Sequence, residues 1–281
     1  MAIGSTRGKR RLGRHLRPIL DRSGLKVDEV VKRSRVSRPT IARMLSGEAL
    51  PRWPALSMVL DVVGATPQEK ARALRLWEVA DVDPAAIEHA RDLSADRRLR
   101  MDELEAVRER TLDPALVPAL LRTAAYAEAV ARASDRITGE DRASWTAAEH
   151  ADRQRSLTRP DPIEHHALID EAALRRPVGG PDVRRAQLDH LVAMAARPTV
   201  TIQVIPYSAG AYAALAGAVV LLDFAEADEP LAGYLEAPVT GVAPVADREV
   251  GLVSKAWDDA ARQALTAAES ARFLRALRDT P

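Results

Sequence analysis

Residues 24–53 read GLKVDEVVKRSRVSRPTIARMLSGEALPRW, and the fold of the first part of the chain turns on this stretch. The spacing of Val27, Val30 and Val31 predicts a short helix from about Val27 to Ser34. A tight turn is predicted at Arg35 and Val36. Ser37 is a good N-cap for a second helix. Pro39 suits its first turn, where N–H groups lack intrahelical partners, and Gly47 closes it. Two short helices around a tight turn have the outline of a helix-turn-helix. Arg38 and Arg43 then lie on the part of the second helix, 37–46, that a DNA reader points into the major groove.

Charge agrees with this reading. The 281 residues carry 41 Lys+Arg against 40 Asp+Glu, a net charge of +1. Residues 1–53 hold 14 basic and four acidic side chains, or +10, and the remainder holds 27 and 36, or −9. A basic head on an acidic body is the footprint of a chain whose one end meets phosphate.

The elements around this stretch complete a helical domain over 1–80. A first helix is predicted from Arg11 to Arg22, with Leu12, Leu16, Ile19 and Leu20 on one stripe and Pro18 awkward inside it. Met1–Gly8 reads as a loose arm, and Arg7, Lys9, Arg10 and Arg11 as residues able to enter a minor groove or simply to solubilise a tail. Further helices are expected from Trp53-Pro54 and from Thr66-Pro67. Residues 81–110 read as connecting helices.

From 111 to 281 the pattern changes. Helices are predicted over 117–133, 142–157, 181–196, 246–264 and 267–278, the last with Thr266 and Glu269 as a capping box. Strand-like runs stand at 166–170, 200–206, 217–224 and 231–237. The fold class expected is α+β: an N-terminal all-α helix-turn-helix domain, then an α+β domain with a mainly antiparallel sheet.

Composition narrows the function. The chain has no cysteine, so disulfides, thiol nucleophiles and Cys-based zinc sites are excluded, and a reducing cytoplasm is the expected home. No apolar run approaches the roughly 20 residues that span a bilayer. The basic N-terminus is followed by no apolar stretch, as expected of a chain without a secretory signal. Neither GxGxxG, GxxxxGK[ST] nor HExxH occurs. His165 and His166 beside Glu164 are the nearest thing to a metal site, but adjacent strand residues face opposite ways, so no metal and no cofactor are expected.

Gly24-Leu25, Glu29-Val30-Val31, Val36-Ser37, Thr40-Ile41 and Ser46-Gly47 together resemble the Cro/C1-type (XRE) helix-turn-helix family of bacterial regulators. That family usually has a small residue where Val31 stands and glycine where Arg35 stands. A non-glycine residue in a left-handed turn costs about 1 kcal/mol, so a less tight turn is expected here. VPALLRTAAYAEAV, RQRSLTR (153–159), IDEAALRRPVGGP (169–181) and TIQVIPYSAGAYAALAGAVVLLDF (201–224) resemble the C-terminal domain of actinobacterial antitoxin-like regulators. Those proteins join such a head to such a body and are often encoded beside a small partner protein.

The site residues follow. Arg38, Pro39 and Arg43 are expected at base edges, the arginines on guanine and Pro39 on a thymine methyl. Lys26, Ser37, Thr40 and Arg52 are expected at phosphates, and spectator charge on a solvated surface is the plain alternative for the arginines. In the body, Asp170, Glu171, Arg175 and Arg176 with Tyr207 and Tyr212 are candidates for a ligand or partner surface, or else a closure of the sheet. The chain is thus expected to be a non-enzymatic transcriptional regulator that binds double-stranded DNA as a homodimer. The alternatives are an antitoxin-like protein whose main task is to bind a small partner, and an enzyme carrying a DNA-binding head.

Overall fold

A computed structural model describes residues 7–81, 95–139, 150–151, 153–225, 229–237 and 241–279. The chain divides between Arg98 and Leu99 into two units, each with its own core.

The first unit consists of α1 (Arg7–Ser23), α2 (Val27–Ser34), α3 (Arg38–Ser46), α4 (Trp53–Val62) and α5 (Pro67–Asp81). Leu12, Leu16 and Ile19 of α1 meet Val30, Ile41 and Met44 and the Leu56-Val59-Leu60 stripe of α4 in one buried cluster. α1 begins four residues before the predicted start and runs on through Pro18, whose ring lies on the exposed side. Arg7 to Arg11 are therefore helical, and Lys9 is 5% exposed, so they are not an extended arm. Residues 1–6 of the expected arm lie outside the described residues.

α1 lies close against the carboxyl end of α3, and two glycines allow it. A Cβ on Gly13 would stand 2.7 Å from the Leu45 carbonyl oxygen, and one on Gly47 would stand 2.7 Å from the Arg10 Cα. Gly47 also holds φ +73°, the left-handed C-cap that glycine tolerates best.

The second unit is a six-stranded mixed sheet between helices. After α6 (Ala95–Glu105) come β1 (Arg108–Asp113), α7 (Ala124–Thr138), β2 (Glu164–Asp170), α8 (Glu171–Arg175), α9 (Pro181–Met194), β3 (Val200–Ile205), β4 (Ala218–Asp223), β5 (Ala232–Ala237), β6 (Gly241–Pro244), α10 (Asp247–Gln263) and α11 (Ala267–Arg278). Strand order is β3-β2-β1-β4-β5-β6. The first three run parallel and the other pairings are antiparallel. One face packs Ala167, Ile169, Ile202, Val204, Val220 and Leu222 against Leu188 and Leu191 of α9 and Leu274 and Leu277 of α11. The other packs Leu112, Leu168, Val219 and Leu221 against Val250, Trp257 and Ala260 of α10. The α+β class and the mainly antiparallel sheet stand as expected.

Three expectations need correction. Of the connecting helices expected over 81–110, Ala95–Glu105 is helical and residues 82–94 lie outside the described residues, but Arg108–Arg110 open β1, a central strand. α7 starts at Ala124 and not at 117, because Thr123 caps it by accepting from the Tyr126 N–H and the preceding Ala119–Leu121 is a short 3₁₀ turn. β6, a short edge strand ending in proline, was not anticipated. The helix expected over 142–157 falls mostly on residues 140–149 and 152, outside the described residues. The Thr266–Glu269 capping box is formed as expected.

Candidate nucleic-acid interface

The turn between α2 and α3 is tight. Arg35 takes φ 58° and ψ 16°, and its N–H donates to the Val31 carbonyl at 2.9 Å. It is the one non-glycine residue with positive φ among the described residues. The looser turn expected from the absence of glycine is thus corrected: the geometry is kept and arginine bears its strain. Ser34 Oγ accepts from the Val36 N–H at 3.2 Å and pins the turn from inside. Arg35→Gly should raise the stability of the first unit by about 1 kcal/mol, read as a later urea midpoint with unchanged slope.

α3 is positioned by its buried residues Ile41 and Met44, which leaves Arg38, Pro39, Ala42 and Arg43 exposed. Arg38 pairs with Asp28 of α2, Nη1 to Oδ1 at 3.0 Å, with both side chains about 70% exposed (68% and 72%). A pair so exposed contributes at most about 1 kcal/mol and yields readily to a base or phosphate. Arg43 folds back along the helix, its Nε donating to the Pro39 carbonyl at 3.3 Å. Ser37 and Thr40 are engaged with each other. Ser37 Oγ accepts from the Thr40 N–H at 3.3 Å and shares a hydrogen with Thr40 Oγ1 at 2.7 Å. Their first role is therefore the cap, and only remaining capacity is left for phosphate. Lys26 and Arg52 are exposed and stand at the N-cap positions of α2 and α4.

In the second unit the six candidate residues do not form one surface. Asp170 and Glu171 are buried. Asp170 caps α8 by accepting from the Ala172 N–H at 2.8 Å and accepts the Tyr212 hydroxyl at 2.8 Å. Glu171 accepts from the Tyr207 N–H at 2.9 Å and pairs with Arg175 at 2.6 Å. Tyr212 is 6% exposed and packs in the α10-side core, and burial with the nearby Asp170 raises its phenol pKa. It is corrected from contact residue to structural residue. Tyr207 (59% exposed), Arg175 and Arg176 remain outside. Likewise His165 and His166 point to opposite faces: His165 is buried, whereas His166 contacts Gln203 at 2.7 Å and sits edge-on to Trp257.

Residues 96–276, more than half of the chain, match a family model described as a domain of unknown function, DUF5753. The chain belongs to the DUF5753 family. Residues 11–74, spanning α2, the turn and α3, match a helix-turn-helix domain model. No curated protein and no solved structure matches the chain.

The DUF5753 domain holds a buried polar group that inspection of the sequence missed. Arg153 donates from Nε to Glu103 Oε2 at 2.8 Å and from Nη2 to Oε1, with both side chains largely buried. Asp102 accepts the Tyr234 hydroxyl, and Glu109 and His165 are 1% exposed. The available signal was β1 itself: the polar run RERTLD becomes a central strand by turning Glu109, Thr111 and Asp113 inward.

Proposed function

We propose that this DUF5753 protein is a sequence-specific transcriptional regulator of the Cro/C1 type, acting in the cytoplasm. In this reading α3 enters the major groove, and the DUF5753 domain dimerises or receives a signal and turns over no substrate. The observation that carries the reading is the helix-turn-helix of residues 27–46, with Arg38 and Arg43 exposed on α3 and Lys26 and Arg52 at flanking helix starts. The +10 charge of residues 1–53 adds long-range attraction to phosphate. One head supplies few base contacts, which favours a homodimer on a two-fold operator. The −9 balance of the rest supports a second reading, an antitoxin-like role in which this half binds a small partner protein of basic charge.

Two pairs of variants test the DNA reading. After selection of an operator from random duplexes, Arg38→Ala and Arg43→Ala should each lose about 1–3 kcal/mol of discrimination at one base-pair position. Lys26→Ala and Arg52→Ala should weaken operator and random DNA alike and shallow the salt dependence by roughly one unit of slope each. Equal loss on both DNAs for the α3 arginines would reassign them to phosphate. No selectable operator would remove the regulator reading.

A further inference from the structure

The helix-covered face of the DUF5753 sheet carries a polar row that DNA reading does not use. Glu109 and Thr111 are successive inward residues of β1, and His165 stands opposite Glu109 on β2. They are 1%, 4% and 1% exposed. Glu109 Oε2, Thr111 Oγ1 and both ring nitrogens of His165 lack hydrogen-bond partners. Glu109 Oε1 lies 3.7 Å from His165 Nδ1, beyond hydrogen-bond reach. Protein interiors rarely leave adjacent polar atoms unpartnered, so these atoms have hydrogen-bonding capacity for a further group.

Charge points the same way. The Arg153 guanidinium, whose charge acts on both Glu109 and His165, is already paired through Nε and Nη2 with Glu103. Burial, with Glu103 beside it, raises the Glu109 carboxyl well above the usual range. Burial, with Arg153 beside it, pushes His165 down to about 3. Both shifts disfavour charge on the row as it stands, and a cation placed against Glu109 would act against the first of them.

We propose that Glu109, Thr111 and His165 bind the primary ammonium group of a small molecule. Such a head carries one positive charge and three N–H donors. The row offers it a carboxylate oxygen, a hydroxyl oxygen and an imidazole nitrogen. An ammonium paired with Glu109 favours its carboxylate form, and a proton displaced in this way leaves to solvent. A metal ion is served less well, because no group of three His, Cys, Asp or Glu side chains able to hold one occurs among the described residues. The inference deepens the reading of the DUF5753 domain as a receiver of a signal. It rests on that reading for its consequence in the cell and not for the binding itself.

The test is a titration of the full chain at pH 7 with methylammonium and with putrescine, followed by the imidazole nitrogen signals of His165 and by proton release in weak buffer. The expected result is a saturable shift of those signals, with protons released rather than taken up as the amine binds. Glu109→Gln, which keeps the side-chain shape, should weaken binding about 10- to 100-fold. Thr111→Val should weaken it less, and serves as the readout if Glu109→Gln fails to fold. The inference is overturned if tetramethylammonium, which has no N–H, binds as well, if zinc fills the row and the amines do not, or if His165 is unmoved by either amine. DNA affinity is measured in parallel. A chain that takes amines but binds no DNA keeps the site and loses the regulator reading.

Discussion

Gly47→Ala should unfold the first unit of this DUF5753 protein while the sheet unit stays folded. Two costs coincide at this residue. A left-handed conformation costs a non-glycine residue about 1–2 kcal/mol. In addition, the new methyl would stand 2.7 Å from the Arg10 Cα and 2.9 Å from its nitrogen, both backbone atoms that cannot swing away. Relieving the overlap means prising α1 from the end of α3, which adds about 1–3 kcal/mol of overpacking. The sum is a large part of the stability of a small domain. Hydrogen exchange should show the amides of α1 to α4 losing protection while those of β1 to β4 keep theirs, and operator binding should be lost together with them. Unchanged protection in α1 would mean that the close approach of the two helices is not a constraint.

The second large effect is on acid stability of the sheet unit. The His165 imidazole falls from an ordinary 6.5 to about 3 through burial and the neighbouring Arg153. Between those values the unfolded ring binds a proton that the folded ring refuses. Its contribution is therefore complete above pH 6.5 and is lost as pH falls towards about 3, on the order of 4 kcal/mol in all. Glu109 acts in the opposite sense. Its raised carboxyl supports the fold below the ordinary range and withdraws that support as pH rises through the folded value. Urea melts across pH should thus give a marked acid limb that His165→Phe, a buried apolar replacement, largely flattens. An acid limb of unchanged slope in that variant would place the lost stability in other carboxylates.

The two halves of the molecule differ in how far their sequence discloses them. The helix-turn-helix was legible because its signals are local: Ser37, Pro39 and Gly47 punctuate α3 within eleven residues, and its arginines had nowhere to go but outward. Arg35 misled only about degree, since the turn absorbs strain that a sequence argument expects a chain to avoid. β1 was hidden because its inward positions are Glu109, Thr111 and Asp113, so the apolar alternation that marks a half-buried strand is missing. Tyr212 looked like a loop aromatic because the partner that draws it in, Asp170, lies 42 residues away. Lys9, read as part of an arm, is buried in α1. The Glu103–Arg153 pair and the row beside it come together only once the sheet exists, and no spacing rule reaches them.

The position of β1 has a consequence for how the chain is made. It is central, yet first in order, and Arg108 finds its neighbours at Glu164 on one side and Asp223 on the other. Such distant pairings close slowly and only after their partners have been synthesised. Helices α1 to α5 need nothing beyond residue 81 for their own core. On the ribosome the helix-turn-helix head therefore completes itself long before the sheet can, and for that interval β1 waits with both edges unpaired. Cells making this protein quickly must either shield that strand or lose chains to aggregation, and its charged residues, Arg108, Glu109, Arg110 and Asp113, are what keep it in solution until β2 and β4 arrive.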